Sequence, residues 1–477
     1  MADAASKGKD VQEESFGEKN GVEDDRKESG SDSQSELSFW SLIELLSPLS
    51  PMASSMAERT EDSKKKKKKI PYGFRESLVP EDYVPPPKKH PIVFEGSMIG
   101  KELHVRNFHR HFACYQPTDF NEALVNELEK LGEYKLPAWY SSMLCSAAPT
   151  LVEHSVKYER VELYDSSGGL LAVDWAFPEA NDCCPDGEPS SECVLCVFPG
   201  LAGHSDKDYI RSFVKRILTA LRWKVCVLNW RGFNCPLKNG KVSSPVDLTD
   251  MTMTIYHASK RFPTSPIFAA GFSMGSNQLV KYIGMNAEDH MLTAALSVCN
   301  GFEYELHLQR LEQTPLGEQV YSRGMTYLHQ EYLRNYGEEL REHVEGFELE
   351  KALAAAKHSE LDEVLVKQVY GYHDMQEYYN QVASRPFISK VNIPLLCLQS
   401  SDDPLFTEGD WRHVLPVDEL HDNKHIVYFE SEYGSHLNFV EATIQQGLLR
   451  EEYTFCDRAA EAFFRFASST SDRKILF

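Results

Sequence analysis

Ile267-Phe268-Ala269-Ala270-Gly271-Phe272-Ser273-Met274-Gly275-Ser276-Asn277-Gln278-Leu279-Val280-Lys281-Tyr282-Ile283-Gly284 is the stretch that decides how this chain of 477 residues is to be read. The apolar run Ile267 to Ala270 is too short for a helix and reads as a buried strand. Ser276 to Ile283 reads as a helix ending near Gly284. Between them stands Gly-x-Ser-x-Gly, a pattern that chance can supply anywhere but that here falls on a strand-to-helix turn. A serine in such a turn sits in strained backbone, relieved by Gly271 and Gly275, with its Oγ presented above the sheet. The positive end of the following helix points towards it. Ser273 is therefore the candidate nucleophile, against the plainer reading of a structural serine in a tight turn.

Outward from this turn, strands and helices alternate. Val194 to Phe198 and Lys224 to Asn229 read as strands, with helices near 209–221 and 247–260 following them, and Ala294 to Val298 reads as the next strand. Upstream, Tyr158 to Leu163 and Leu170 to Trp175 read as a strand pair about the turn Asp165 to Gly169, preceded by a short helix over 120–132. Downstream, residues 301 to 388 are rich in Leu, Glu, Tyr and Ala and read as helical throughout. The alternation resumes at Ile393 to Gln399 and Ile426 to Phe429, before a last helix near 454–467. This rhythm predicts an α/β-hydrolase fold: a mostly parallel central sheet, helices on both faces and an inserted helical cap. The expected core is 131–300 with 389–470, the cap is 301–388, and 471–477 is a C-terminal tail. Residues 1–69 form an acidic tail expected to be disordered, and 70–130 a proline-rich linker and N-terminal extension.

A nucleophilic serine needs a base, and the base needs an acid to orient it. The strand Ile393 to Gln399 runs into Ser400-Ser401-Asp402-Asp403-Pro404, and Ile426 to Phe429 leads to Tyr433-Gly434-Ser435-His436. The order Ser273, Asp403, His436 is that of α/β-hydrolases. Asp403 is preferred to Asp402 because it directly precedes Pro404. The developing oxyanion calls for two backbone N–H groups. Met274, after the nucleophile, supplies one, and Leu201 in Phe198-Pro199-Gly200-Leu201-Ala202-Gly203 supplies the other.

With 72 acidic against 50 basic residues, the formal net charge of −22 excludes nucleic acid as a general partner. Eleven cysteines without framework spacing, behind a polar N-terminus, suit a reducing cytoplasmic location. No run reaches the roughly 18 apolar residues that a bilayer span requires. Within the N-terminal tail, Leu37, Phe39, Trp40, Leu42, Ile43, Leu45 and Leu46 alternate with polar residues as on an amphipathic helix, and six lysines follow at 64–69. That pairing suits peripheral membrane contact through residues 37–69, the lysines alone would suit nuclear import, and a solvated linker with a docking helix requires neither.

Three further clusters invite a metal or acyltransferase reading. Cys193-x-x-Cys196 with Cys183 and Cys184 resembles a zinc motif, but residues three apart on a strand face opposite sides. His104, His109, His111 and Cys114 form a looser group, and His413-x4-Asp418 fits a two-position acyltransferase pattern. No metal or cofactor is expected.

The combination of these motifs resembles the YheT-like α/β-hydrolases, a family of lipases, plant embryogenesis-associated proteins and yeast medium-chain ester synthases. Its carriers are Pro199-Gly200-Leu201 with Gly203, Asn229-Trp230-Arg231-Gly232, Gly271 to Gly275 and Asp402-Asp403-Pro404. Val173-Asp174-Trp175 and Gly371-Tyr372 with Tyr378-Tyr379 extend the likeness over roughly residues 130 to 470. The resemblance implies a cap-bearing lipase, phospholipase or esterase on lipid or small ester substrates, with nucleophile, acid and base at Ser273, Asp403 and His436. An acyltransferase or ester synthase would use the same residues, and a non-catalytic binding module would need none of them.

Overall fold

The computed structural model describes residues 103–137, 140–142, 154–179, 192–315, 317–405, 415–441, 444–445, 448–449 and 453–471. The apolar island, the lysine run, the proline-rich stretch to 99, Cys183, Cys184, His413 and the tail 472–477 lie outside these residues.

The chain opens with β1 (Val105–Phe108), β2 (His111–Tyr115) and α1 (Asp119–Glu129). A hairpin of β3 (Glu159–Tyr164) and β4 (Leu170–Ala176) follows, then β5 (Val194–Phe198) and α2 (Asp208–Arg216), which widens into a π-type turn over Ile217–Leu221. Next come β6 (Lys224–Asn229), α3 (Thr249–Arg261), β7 (Ile267–Phe272), α4 (Met274–Met285) and β8 (Ala294–Val298). Before the next strand lie only helices among the described residues: α5 (Tyr304–Gln313), α6 (Arg323–His343), α7 (Leu349–Leu353), α8 (His358–Gln368) and α9 (Met375–Val382). The chain closes with β9 (Leu395–Ser400), α10 (Val417–Asp422), β10 (Ile426–Ser431), the short pair β11 (Ile444–Gln445) and β12 (Leu448–Leu449), and α11 (Phe455–Ser471).

Ten strands form one sheet in the order β1-β2-β10-β9-β8-β7-β5-β6-β4-β3. From β10 to β6 every pairing is parallel, and the pairings at both edges are antiparallel. β5 has β6 on one side and β7 on the other, so the winding reverses there. In an open α/β sheet the crevice beyond the carboxyl ends of strands at such a reversal is where ligands bind.

The parallel strands are apolar on both faces because helices cover both. On one face Leu195, Val197, Phe268 and Ala270 pack against Phe213 of α2 and Phe463 and Phe464 of α11. On the other, Val194, Cys196 and Ala269 pack against Ile255 of α3 and Leu279 and Ile283 of α4. Each fully buried Val, Leu, Ile or Phe among these is worth roughly 1.5–3 kcal/mol. Cys193 and Cys196 fall in different layers, on opposite sides of the sheet.

The expectation of a linker and N-terminal extension over 70–130 needs correction at its end. β2 pairs with β10 from Tyr115 opposite Val427 to His111 opposite Ser431, so this segment is built into the sheet. The hairpin escaped notice because its turn residues, His109 and Arg110, take φ of 45° and 63° without the glycine or asparagine that usually marks such a turn. The last helix runs on to Ser471, past the expected boundary. No helix among the described residues is long and apolar enough to cross a membrane.

Candidate active site

β7 ends at Phe272 and α4 starts at Met274, leaving Ser273 as the whole connection, with φ 51° and ψ −115°. A non-glycine residue held there costs on the order of 1–3 kcal/mol and persists only where its surroundings fix it. The amide of Ser273 donates to Val298 O at 2.9 Å, and its carbonyl accepts from Ser276 Oγ at 2.6 Å and the amides of Ser276 and Asn277. The flanking glycines are required by space. A Cβ on Gly271 would stand 2.5 Å from Gly275 O, and one on Gly275 would fall on the carbonyl oxygens of Phe198 and Pro199.

Asp403 follows β9 and His436 follows the adjacent parallel strand β10, which brings the two loops together. His436 Nε2 lies 3.0 Å from Ser273 Oγ, and its Nδ1 lies 2.6 Å from Asp403 Oδ2. Asp403 is 1% exposed, and its other oxygen accepts from the Leu405 amide at 2.9 Å. Asp402 has a separate task. It accepts the Tyr140 hydroxyl at 2.5 Å and the Ser435 amide at 2.9 Å, while Tyr140 Oη accepts from the Gly434 amide at 3.1 Å. The segment so pinned carries His436 between Ser435 and Leu437, both at positive φ. Cys299 stands beside Asp403 and His436. Burial, then the neighbouring carboxylate, hold its thiol well above its ordinary range, so it is protonated, the form a metal ligand must leave.

Leu201, Met274 and Ser273 line one cavity. The loop bearing Leu201 is held from below by Trp230, whose indole N–H is shared between Pro199 O and Gly200 O at 3.0 Å each. Asn229 accepts the Ser205 amide at 3.0 Å and donates to Asp174 at 2.9 Å, and Arg160 meets the same carboxylate through two bonds. The hydrogen bonds of Arg160, Ser205 and Asn229 outweigh burial and hold Asp174 below the usual carboxylate range. Arg231, fully buried, pairs with Asp165 and Asp250 at 2.7 Å. Sequence reasoning used Asn229 to Arg231 only as marks of likeness and missed Tyr140 altogether. One signal was present: Asp174 is charged in a strand whose every residue is buried.

The cavity measures about 170 Å³ and passes from the core loops into the helices between β8 and β9, with Phe302, Leu308, Leu333 and Leu365 among its lining. Of the other candidate groups, His104 pairs with Glu122 at 3.0 Å, and His111 reaches Gly132 O.

Human phospholipase ABHD3 is 25% identical over 309 residues, 65% of this chain and 72% of that protein. The chain has the α/β-hydrolase fold. The monoacylglycerol lipase of Saccharomyces cerevisiae is 28% identical over 254 residues, 52% of this chain and 54% of the yeast protein. The embryogenesis-associated protein EMB8 of Picea glauca is 27% identical over 60% of this chain and 62% of its own length. Among solved structures, the esterase Pf2001 of Pyrococcus furiosus matches at 13% identity over 70% of this chain, with a TM-score of 0.40. No family model matches.

Proposed function

We propose that this protein is a serine hydrolase that cleaves carboxylic esters of lipid-like acyl substrates through an acyl-enzyme on Ser273. The observation that carries the reading is His436 standing between Ser273 Oγ, at 3.0 Å, and Asp403 Oδ2, at 2.6 Å, beside an apolar cavity. In this mechanism His436 Nε2 takes the hydroxyl proton as Ser273 Oγ bonds to the acyl carbon, and Asp403 holds the ring by its Nδ1–H. The amides of Leu201 and Met274 hold the negative oxygen. Collapse breaks the ester C–O bond, and the alcohol leaves with the proton from His436. Water, deprotonated by the same ring, then releases the acid and restores Ser273.

The lipid-like acyl group is supported by the apolar lining of the cavity and by the names of the relatives, lipases and a phospholipase. A fluorophosphonate probe, which esterifies activated serines, tests the reading directly. Wild-type protein is expected to label and Ser273→Ala not to; equal labelling of the two sinks the proposal. A series of p-nitrophenyl esters of rising chain length then reports the acyl preference.

A further inference from the structure

The cavity beside Ser273 has a mainly apolar wall, into which α5 brings His307, α6 brings His329 and α8 brings two polar side chains of its own. His358, the first residue of that helix, and Asp362, one turn on, both line it, and they are only 1% and 4% exposed. His358 Nε2 stands 3.1 Å from Tyr304 Oη and 3.7 Å from Asp362 Oδ1. His358 Nδ1 and Asp362 Oδ2 have no hydrogen-bond partner. Native interiors rarely leave such atoms unpaired, so each instance calls for a reason.

Support of the helix is not the reason, because other residues supply it. The His358 amide donates to Ser322 Oγ at 2.9 Å, the Ser359 amide to Glu312 Oε1 at 3.0 Å, and Ser359 Oγ to Glu312 Oε2 at 2.6 Å. Around the pair the cavity wall includes Leu308, Leu311, Leu333, Leu365 and Val369, which cannot bond to it, and His329, whose ring lies 5.1 Å from that of His358 and whose Nδ1 is engaged with Met325 O.

We propose that His358 and Asp362 form a polar subsite in this cavity that takes a hydroxyl group of the ester substrate. A hydroxyl both donates and accepts, so it satisfies the carboxyl oxygen and the ring nitrogen in either tautomer of His358. An ammonium can only donate, and a phosphate would oppose the acid. Burial pushes the Asp362 carboxyl up to about 7 and the His358 ring down to about 4, which suits a neutral guest over an ion. The subsite rests on the hydrolase reading above and adds to it a class of substrate: esters with a hydroxyl on the acyl chain or on the alcohol.

The test is a ratio of kcat/KM values measured in two arms. One arm compares ω-hydroxyacyl with unsubstituted acyl p-nitrophenyl esters of equal length. The other compares 2,3-dihydroxypropyl with propyl esters of one unsubstituted acid. Wild-type protein is expected to favour the hydroxylated partner at least tenfold in one arm, which then identifies the source. In Asp362→Leu and His358→Phe that preference should vanish or reverse. Loss of folding or of general activity moves both members of a pair and leaves the ratio intact. Asp362→Asn, which can still bond, should keep part of the preference. A ratio near one in both arms for wild-type protein overturns the subsite and leaves the pair to water alone. If no ester turns over and Ser273 does not label, the hydrolase reading itself fails.

Discussion

Residue by residue, the two neighbouring carboxylates divide the work. Asp403 faces His436 Nδ1, whereas Asp402 binds Tyr140 and the Ser435 amide. Asp403→Asn should therefore lower kcat by roughly 10³–10⁴, because the amide no longer fixes the ring's tautomer. Tyr140→Phe loosens only the loop that carries the ring and should lower kcat by about tenfold with little change in KM. Steady-state kinetics on one activated ester checks both, and equal losses would contradict this division. Ser273, Asp403 and His436 were legible in the sequence because each follows an apolar strand in a fixed order. Tyr140 was not, since it lies far along the chain and meets the loop only through folding.

At the level of elements, strand ends and the loops after them position the site. β5 delivers the loop bearing Leu201, β7 delivers Ser273, and the segment after β6 ties that architecture down through Trp230 and Arg231. Arg231 pairs with Asp165 from the β3–β4 turn and with Asp250 from α3, so one buried guanidinium joins three parts of the chain. Arg231→Met leaves two carboxylates without their cation and should cost about 3–5 kcal/mol of stability. Urea unfolding would measure it; a loss below ~1 kcal/mol would mean that water replaces the pairing. The central strands could be read directly, being short, apolar and bounded by turns. The β1–β2 hairpin could not, because Arg106, Asn107 and His111 blur its pattern, and its place at the sheet edge comes from pairing with β10, more than 300 residues away.

For the molecule as a whole, buried titratable groups set how stability depends on pH. Burial pushes His111, His329 and His358 down from 6.5 to about 4, and His204 to about 3. Between about pH 4 and 6.5 the unfolded chain thus binds more protons at these rings than the folded one, and stability rises with pH. Asp362, raised from 3.8 to about 7, acts in the opposite sense, since there the folded state holds the extra proton. Burial also raises Glu303, Asp402, Glu441 and Asp457, which act with Asp362, and lowers His257 and His425, which act with the rings. The four strongly lowered rings leave a net rise, to which the fully buried His358 contributes roughly 3 kcal/mol. Tm followed by fluorescence should fall markedly from pH 6.5 to 4.5, and Asp362→Asn should steepen the fall. A flat profile would mean that the rings are charged in the folded state. By itself the sequence determined the alternation of strands and helices, the turn at Ser273 and the order of the residues that follow it, because these depend on local periodicity and backbone geometry. The tertiary structure alone decided what engages Asp402 away from His436, what holds the Leu201 loop, and the unpaired Nδ1 of His358 and Oδ2 of Asp362 in the cavity. Those are contacts between distant segments, and their energies come from burial and from partners that no local pattern encodes.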